Sequence, residues 1–494
     1  MSLAIAPARL RTIQASALLP VALLTIAFAL LRPAVDHIPD VSWLITVCER
    51  VLDGQRLYVD IIENNPPASV WLYLPAVYLA RMAHLRPETL VNLQFLALAC
   101  GALALCGGVL ARGGLLRHHN RAWLACLALA LLTLLPRDSF GEREHAIALL
   151  LLPSLGCLAL RAGGMAPSGR QILICGVLAG LAVCIKPHFA LALVAAAVAA
   201  AAAARAWRLL LAPELLIAAL VLAVYAACVV WLAPDYIANI LPRARLTYLP
   251  VRLPVFELLL SSGMAALALA LLFNWQVAAG RRPSAPVAVL LAAALGAMLA
   301  YLAQGKGWAY QSLPMVLFAA LALAIAATAP GAARQQIAGR LAIVCAVCAF
   351  YLGDARDAPA LRAAIAALQP RPSMMILSSE ITVGHPLVRQ LGGAWAGREC
   401  ALLVVAGALH RLGDEVLDAD TAAKVKAAGA EALDNFAADV ERARPDIVLV
   451  DMIEFDWSGM VSSRPALAAA LAGYRDRGTF DKVRIMQRSR EAEG

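Results

Sequence analysis

The chain has 494 residues, 62% hydrophobic and 15% charged, with 42 Lys and Arg against 33 Asp and Glu for a net charge of +9. A soluble globular chain is about 45–50% apolar and about 25% charged, which excludes an ordinary soluble protein, a disordered chain and a small disulfide scaffold. The positive charge would suit nucleic acid, but it is parcelled into short segments between apolar runs, so nucleic acid is set aside.

In chain order, Arg9 and Arg11 precede an apolar run at 13–32. That run exceeds a signal-peptide core and no clear small-residue cleavage site follows, so it reads as a retained first span. The next stretch, 36–67, is polar. It begins Asp36-His37-Ile38-Pro39-Asp40. Apolar residues then recur at helical spacing (Val41, Leu44, Ile45, Cys48, Val51, Leu52), which predicts an amphipathic surface helix. Gly54 would terminate it. Tyr58, Asp60, Glu63 and Pro66-Pro67 complete the stretch. The apolar segment 68–83, about 16 residues long, is ambiguous between a span and an interfacial helix. Further spans are expected at roughly 90–111, 121–136, 145–161, 170–186, 187–204, 212–232, 255–273, 286–303, 312–329 and 339–353. Pro187 divides 170–204, because an internal proline removes a helix hydrogen bond.

Basic residues set the expected topology. The segments 1–12, 112–121, 161–170, 205–208, 281–282 and 334–340 carry Arg and lack any Asp or Glu. The alternating loops hold Asp36, Asp40, Asp60 and Glu63, then Asp138, Glu142 and Glu144, then Asp235, then Asp354 and Asp357. Short cytoplasmic loops concentrate Lys and Arg. All the basic segments fall on one side only if 68–83 is a juxtamembrane helix. About eleven spans then result, with a cytoplasmic N-terminus and an extracytoplasmic C-terminal part.

With that topology the unusual polar residues share the outer side: the first loop; Asp138, Glu142, Arg143, Glu144 and His145; Lys186-Pro187-His188; Arg243 and Arg245; and Lys306, Trp308 and Tyr310. Few charges lie at mid-span, where an ion-coupled transporter would carry some. Acids and cations at a membrane boundary suit a lipid-phosphate sugar donor. Arg and Lys would hold its phosphate and stabilise the departing charge. A carboxylate would take the proton of the acceptor hydroxyl as it attacks the anomeric carbon. One base and one displacement invert the configuration.

Each of these residues also has a plainer role open to it. Asp40 would serve as a helix N-cap. Asp60 and Glu63 would be solvated loop acids, Glu142 and Arg143 a local ion pair, and His145 a helix-end residue. Lys186 and His188 would snorkel. Arg243 and Arg245 would bind headgroups nonspecifically. Lys306, Trp308 and Tyr310, like Trp71, Tyr73 and Tyr78, would form an interface belt.

Composition changes after the last span. Residues 374–378, 447–451 and 483–487 read as strands, and 420–444 as a helix with Leu433, Phe436 and Val440 on one face. A small α/β domain over 371–494 follows. It has no GxGxxG and no P-loop. Trp395, Arg398 and Phe455-Asp456-Trp457 are either exposed-loop residues for acceptor contact or packing residues. The cysteines mostly sit in apolar runs, where they act as small hydrophobes. No CxxC or Cys/His cluster suggests zinc.

The pattern Asp40-x13-Gly54-x3-Tyr58-Val59-Asp60-x5-Pro66-Pro67 resembles the first outer loop of GT-C glycosyltransferases. This integral-membrane superfamily includes protein O-mannosyltransferases and aminoarabinose–lipid A transferases. The resemblance covers about the first 200 residues in order of elements. It implies that the catalytic base falls on Asp40 and that 138–145 is the second acidic motif. It also implies a polyprenyl-phosphate-sugar donor and a soluble domain over the active side. The sequence departs from the superfamily at Asp40-Val41, where Asp-Glu is frequent, and Asp36 is a rival base. The run Glu142-Arg143-Glu144-His145 is not general there.

The expectation is therefore an all-α polytopic membrane protein, GT-C-like, with a transmembrane domain over 1–353 and a small C-terminal α/β soluble domain over 371–494. It would be an inverting glycosyltransferase of the bacterial-type inner membrane, moving a sugar from a polyprenyl-phosphate donor to a glycan, lipid or protein acceptor at the periplasmic face. Asp40, Glu142 and Glu144 would be catalytic. Asp60, Glu63, Asp138, Arg143, His145, Lys186, His188, Arg243, Arg245, Lys306 and Tyr310 would bind substrate. The acids permit a divalent metal ion but no ligand set demands one. The rival classes are a lipid-linked-sugar flippase and a noncatalytic envelope assembly protein.

Overall fold

The computed structural model describes residues 38–116, 121–278, 280–326, 334–351 and 358–489. The expected first span, the basic segment 1–12, Asp36, Asp354 and Asp357 lie outside the described residues.

The helices follow from long apolar runs with proline at their starts and polar breaks between them. The principal ones are α1 (Pro39–Leu52), α2 (Pro87–Arg112), α3 (Arg121–Leu134), α4 (Arg143–Ala162), α5 (Gly169–Ile185), α6 (Ala190–Ala204), α7 (Pro213–Leu232), α8 (Ser262–Ala278), α9 (Ala285–Gln304), α10 (Leu313–Ala326) and α11 (Arg334–Tyr351). Among the described residues, six stretches are long and apolar enough to cross a membrane: Pro87–Arg112, Arg143–Ala162, Pro187–Ala204, Trp207–Leu232, Ala285–Gln304 and Ala309–Ala326. The segments expected at 121–136, 170–186 and 339–353 form shorter apolar helices. The expected span at 255–273 is displaced. A separate turn, Val255–Leu259, precedes α8, which runs on to Ala278. Segment 68–83 breaks into Ala68–Trp71 and Leu74–Ala83; at 1.5 Å per residue neither piece crosses a bilayer.

The chain divides into two compact units. The first holds residues 80–227 and 253–354 with 1–34; the second holds 35–79, 228–252 and 355–494. In the first unit α4 is buried without interruption from Arg143 to Leu160. Its last turn carries Arg161, whose guanidinium grips Glu214 at the start of α7 through Nε (2.6 Å) and Nη2 (2.8 Å). Glu214 is fully buried, so this bidentate pair fixes how the two helices meet. Lys186 is extended (φ −144°, ψ 102°) ahead of Pro187, as the residue before a proline prefers, and this makes the expected break between α5 and α6.

In the second unit α1 departs from the expected surface helix. Eight consecutive residues, Val41–Cys48, are buried. Its polar side is covered by distant residues of the same unit: Arg389 pairs with Glu49, Arg50 donates to the Gly397 carbonyl (2.6 Å), and Thr46 meets His385. Gly54 does follow the helix, at φ +90°, a conformation that only glycine adopts freely.

The same unit contains a five-stranded sheet in the order β2-β1-β3-β5-β4. The strands are β1 (Ser373–Leu377), β2 (Ala394–Trp395), β3 (Ile447–Asp451), β4 (Tyr474–Phe480) and β5 (Val483–Arg488). β1 pairs parallel to β2 and β3, with Met374 beside Ile447; β5 runs antiparallel to β3 and β4. Every residue of β3 is buried, so it reads as a continuous apolar run. Helices α12 (Leu403–Asp414) and α13 (Ala419–Ala443) cover the sheet, with Leu377, Phe436, Val440, Val450 and Trp457 in the common core. Each such fully buried side chain contributes about 1.5–3 kcal/mol. Segment 236–248 winds as π-helix around Leu241–Arg243. It approaches α12 so closely that a Cβ on Gly407 would stand 2.5 Å from the Thr247 carbonyl.

Candidate functional site

Pro39 opens α1 as its first residue, with Ile38 as N-cap and no capping side chain. The plainer role for Asp40 is thereby corrected: it stands in the first helical turn, half-buried, and is not the cap. Its charge is favoured there by the helix dipole.

Glu63 is buried and held on both oxygens. Trp43 Nε1 donates to Oε2 (2.5 Å), and the Asn65 backbone and side chain donate to Oε1 (2.8 and 2.5 Å). It is not the solvated loop acid of the plainer reading. Tyr58, at φ +70°, donates its hydroxyl to the Asn65 carbonyl and packs its ring 5.0 Å from that of Tyr236. Burial and the Glu63 charge push the Tyr236 hydroxyl up to about 12, against the pull of Arg245. Glu63, Tyr236 and Arg245 thus form one electrostatic neighbourhood. Arg245 is exposed.

Residues 395–400 come to the same loop. The Ile62 N–H donates to the Arg398 carbonyl (2.9 Å). Cys400 is buried, and desolvation together with the charges of Glu63, Asp40 and Glu399 holds its thiol well above the usual range. Charges from the first loop thus help keep a thiol far along the chain uncharged. Burial also raises Glu399, to about 7, although Arg243 and Arg398 oppose the shift. His385 lies between Trp43 and Trp395, with ring centroids 5.4 and 4.5 Å away. Burial and the nearby Arg389 and Arg50 drive it well below its ordinary value.

Other expected residues of this unit are engaged differently. Asp60 is exposed and accepts from the Arg56 N–H (2.8 Å), a loop-shaping role. Arg243 pairs with Glu431. Trp395 and Trp457 are buried, and Trp457 belongs to the core, so neither is an exposed-loop residue. Arg398 chelates Asp439 with its Nε, at 2.8 and 2.9 Å.

In the first unit, Lys186 Nζ lies 2.5 Å from Glu144 Oε1, with both residues buried. The same ammonium stands 5.5 Å from the Tyr310 ring centroid, within cation–π range. Glu144 Oε2 is buried and accepts no hydrogen bond among the described residues. Glu142 caps α4 by accepting from the Arg143 N–H (2.9 Å), and its carboxylate is 3.6 Å from the Arg143 Nε. This is the local ion pair of the plainer reading, fully buried rather than in an open loop. His145 is committed to the backbone: Nδ1 accepts from the Gly141 N–H and Nε2 donates to the Leu132 carbonyl (2.8 Å). Its ring is wedged against Phe95 and Phe140. That arrangement leaves it no nitrogen for a substrate and corrects its expected binding role. His188 is half-buried against Phe189, and Asp138 lies beside Arg137 (3.8 Å). Lys306 is half-buried in the loop before Trp308 and Tyr310.

Among the described residues, no group of three or more His, Cys, Asp or Glu is placed to hold a metal ion. Trp43, Tyr236, Glu399 and Cys400 escaped the sequence reading. Their partners are remote in the chain, and only the polar environment of Cys400, outside any apolar run, set it apart.

No protein-family model and no curated protein matches the chain. Among solved structures it is similar to a crystal structure of ArnT from Cupriavidus metallidurans bound to undecaprenyl phosphate. The TM-score is 0.52 and the identity 14%, over 97% of this chain and 98% of that one. The likeness runs end to end, and at that identity it concerns architecture alone. The likeness gives the chain an ArnT-like fold, with helices apolar enough to cross a membrane and a small C-terminal sheet.

Proposed function

We propose that this protein is an inverting glycosyltransferase that moves a sugar from a polyprenyl-phosphate donor to an acceptor hydroxyl at the outer face of the inner membrane. The observation that carries the proposal is the full-length likeness to a protein crystallised with undecaprenyl phosphate, joined to the presence of Asp40 and Glu63 in the loop where such a fold is expected to hold its base. Glu63 is saturated by three hydrogen bonds, and the base is assigned to Asp40, where the resemblance puts it. In the reaction the Asp40 carboxylate takes the acceptor proton, the acceptor oxygen bonds to the anomeric carbon, and the carbon–oxygen bond to phosphate breaks. The electron pair leaves on the polyprenyl phosphate. In the unit that holds Asp40, exposed Arg245 is assigned to the donor, where the cation would offset phosphate charge; the Lys186–Glu144 pair, in the other unit, stays a candidate donor contact from the sequence. Arg143, Lys306, Tyr310, His188 and Asp138 are assigned supporting contacts.

The proposal is tested by incubating purified protein with a panel of polyprenyl-phosphate sugars and following donor loss by mass spectrometry. Consumption of one donor, with release of polyprenyl phosphate, supports it. A protein that binds these lipids and returns every one intact overturns it in favour of a flippase or an assembly factor.

A further inference from the structure

A second feature, within the first unit, is independent of the transfer reaction. Five helices, α2, α3, α4, α9 and α10, enclose part of a cavity of about 410 Å³. It is lined by apolar groups such as Gly107, Leu110, Leu129, Leu155 and Leu290, and by one charged residue, Arg121. The lining comes from the C-terminal halves of α2, α4 and α10 and the N-terminal parts of α3 and α9. These are the ends that adjoin Arg112, Arg121, Arg161 and Arg281-Arg282. Glu144 and Lys186 belong to the opposite ends of their helices, and α4, at about 1.5 Å per residue, is about 30 Å long.

We propose that this cavity holds one acyl chain of an anionic phospholipid, with the headgroup phosphate at Arg121. Size, chemistry and charge argue together. An apolar cavity of about 150 Å³ accommodates benzene, so the volume here suits roughly sixteen carbons on the same scale. An apolar recess of that size, half open to the surroundings, leaves its lining short of dispersion contacts, and a hydrocarbon chain restores them. At the mouth, Arg121 donates through Nε and Nη2 to the Leu116 carbonyl (3.2 Å each) and through Nη2 to the Ala111 carbonyl (3.3 Å). Its Nη1 has no partner among the described residues and is left for a phosphate oxygen. Exposed Arg112 adds positive charge, and basic pockets between membrane helices favour anionic headgroups. A polyprenyl phosphate offers the same pairing of hydrocarbon and phosphate, and the competition arm of the test below separates it from a phospholipid.

Gly107 supplies a test with little structural cost, because a Cβ there meets nothing within 4 Å. Gly107→Phe would project a ring into the cavity from a helix that tolerates it. Gly101→Phe, on the same helix with the same open surroundings but not in the lining, is the control. Native mass spectrometry of the purified protein, titrated with dioleoyl-phosphatidylglycerol or dioleoyl-phosphatidylcholine, counts the retained lipids, and thermal unfolding in the same lipids reports on folding. The expected result is one tightly retained phosphatidylglycerol in wild type and in Gly101→Phe, and none in a Gly107→Phe protein that still unfolds cooperatively. Phosphatidylglycerol should be preferred about fivefold over phosphatidylcholine, and Arg121→Gln should abolish that preference. Equal retention by wild type and Gly107→Phe overturns the proposal. So does a preference unmoved by Arg121→Gln, or the finding that only a polyprenyl lipid or detergent competes for the cavity.

Discussion

Trp43 Nε1 donates to Glu63 Oε2 at 2.5 Å, joining the middle of the buried helix α1 to the far end of the first polar loop. Both residues are buried, so the bond is made where water cannot replace it. Trp43→Phe leaves that oxygen without its donor and should cost about 1–3 kcal/mol. Thermal unfolding of the purified variant measures it; an unchanged midpoint would show that the indole does not hold this loop.

The Lys186–Glu144 pair predicts a different pattern. Removing one member of a buried ion pair strands the other charge and costs about 3–5 kcal/mol, whereas replacing both by neutral groups of similar volume is often close to neutral. Lys186→Met should therefore destabilise strongly, and Lys186→Met with Glu144→Gln should recover most of the loss. A double-mutant cycle by chemical denaturation checks this. On the proposed function the double variant would be stable but would raise the KM for donor.

Glu399 predicts a pH dependence. Burial raises its carboxyl from the ordinary 4.5 to about 7, so it binds its proton more tightly folded than unfolded. The stability it adds is full below about 4.5 and is lost as pH rises through about 7. Amide exchange in segment 395–400 should accelerate across that interval by more than the intrinsic chemical rate, and Glu399→Gln should remove the excess. The charged neighbours Arg243, Arg398 and Asp439 are unaltered by the substitution.

Asp40→Asn tests the assignment of the base. The residue is half-buried in the first turn of α1 and is not its N-cap, so the variant loses the favourable charge at the helix start and should be destabilised by about 0.3–1 kcal/mol. Its turnover should fall about 10²–10⁴-fold with donor affinity nearly unchanged. Wild-type turnover in the variant would remove Asp40 from the chemistry.

What could be read in the sequence was local. The break at Pro187, the strand at 447–451, the glycine stop after α1 and the run of apolar helices all follow from periodicity, proline and composition within a short window. The burial of α1 was not legible, because its polar flank is covered by Arg389, Gly397 and His385, more than 300 positions away. The same separation hid Cys400 beside Asp40 and Glu63. His145 misled for a related reason: its charged neighbours suggested chemistry, whereas its two nitrogens close backbone groups at Gly141 and Leu132. The strand β4 was missed because its burial is slight, which leaves no apolar alternation to detect.

The proposed reaction requires that each polar loop face the outside and each arginine-rich segment the inside of the membrane. Single cysteines placed at Asp60, Lys306 and Arg282 in a cysteine-free background, labelled with an impermeant maleimide on intact spheroplasts, test this most directly. The account predicts labelling at 60 and 306 from outside and at 282 only after permeabilisation. Labelling of 60 and 306 from opposite sides would contradict it.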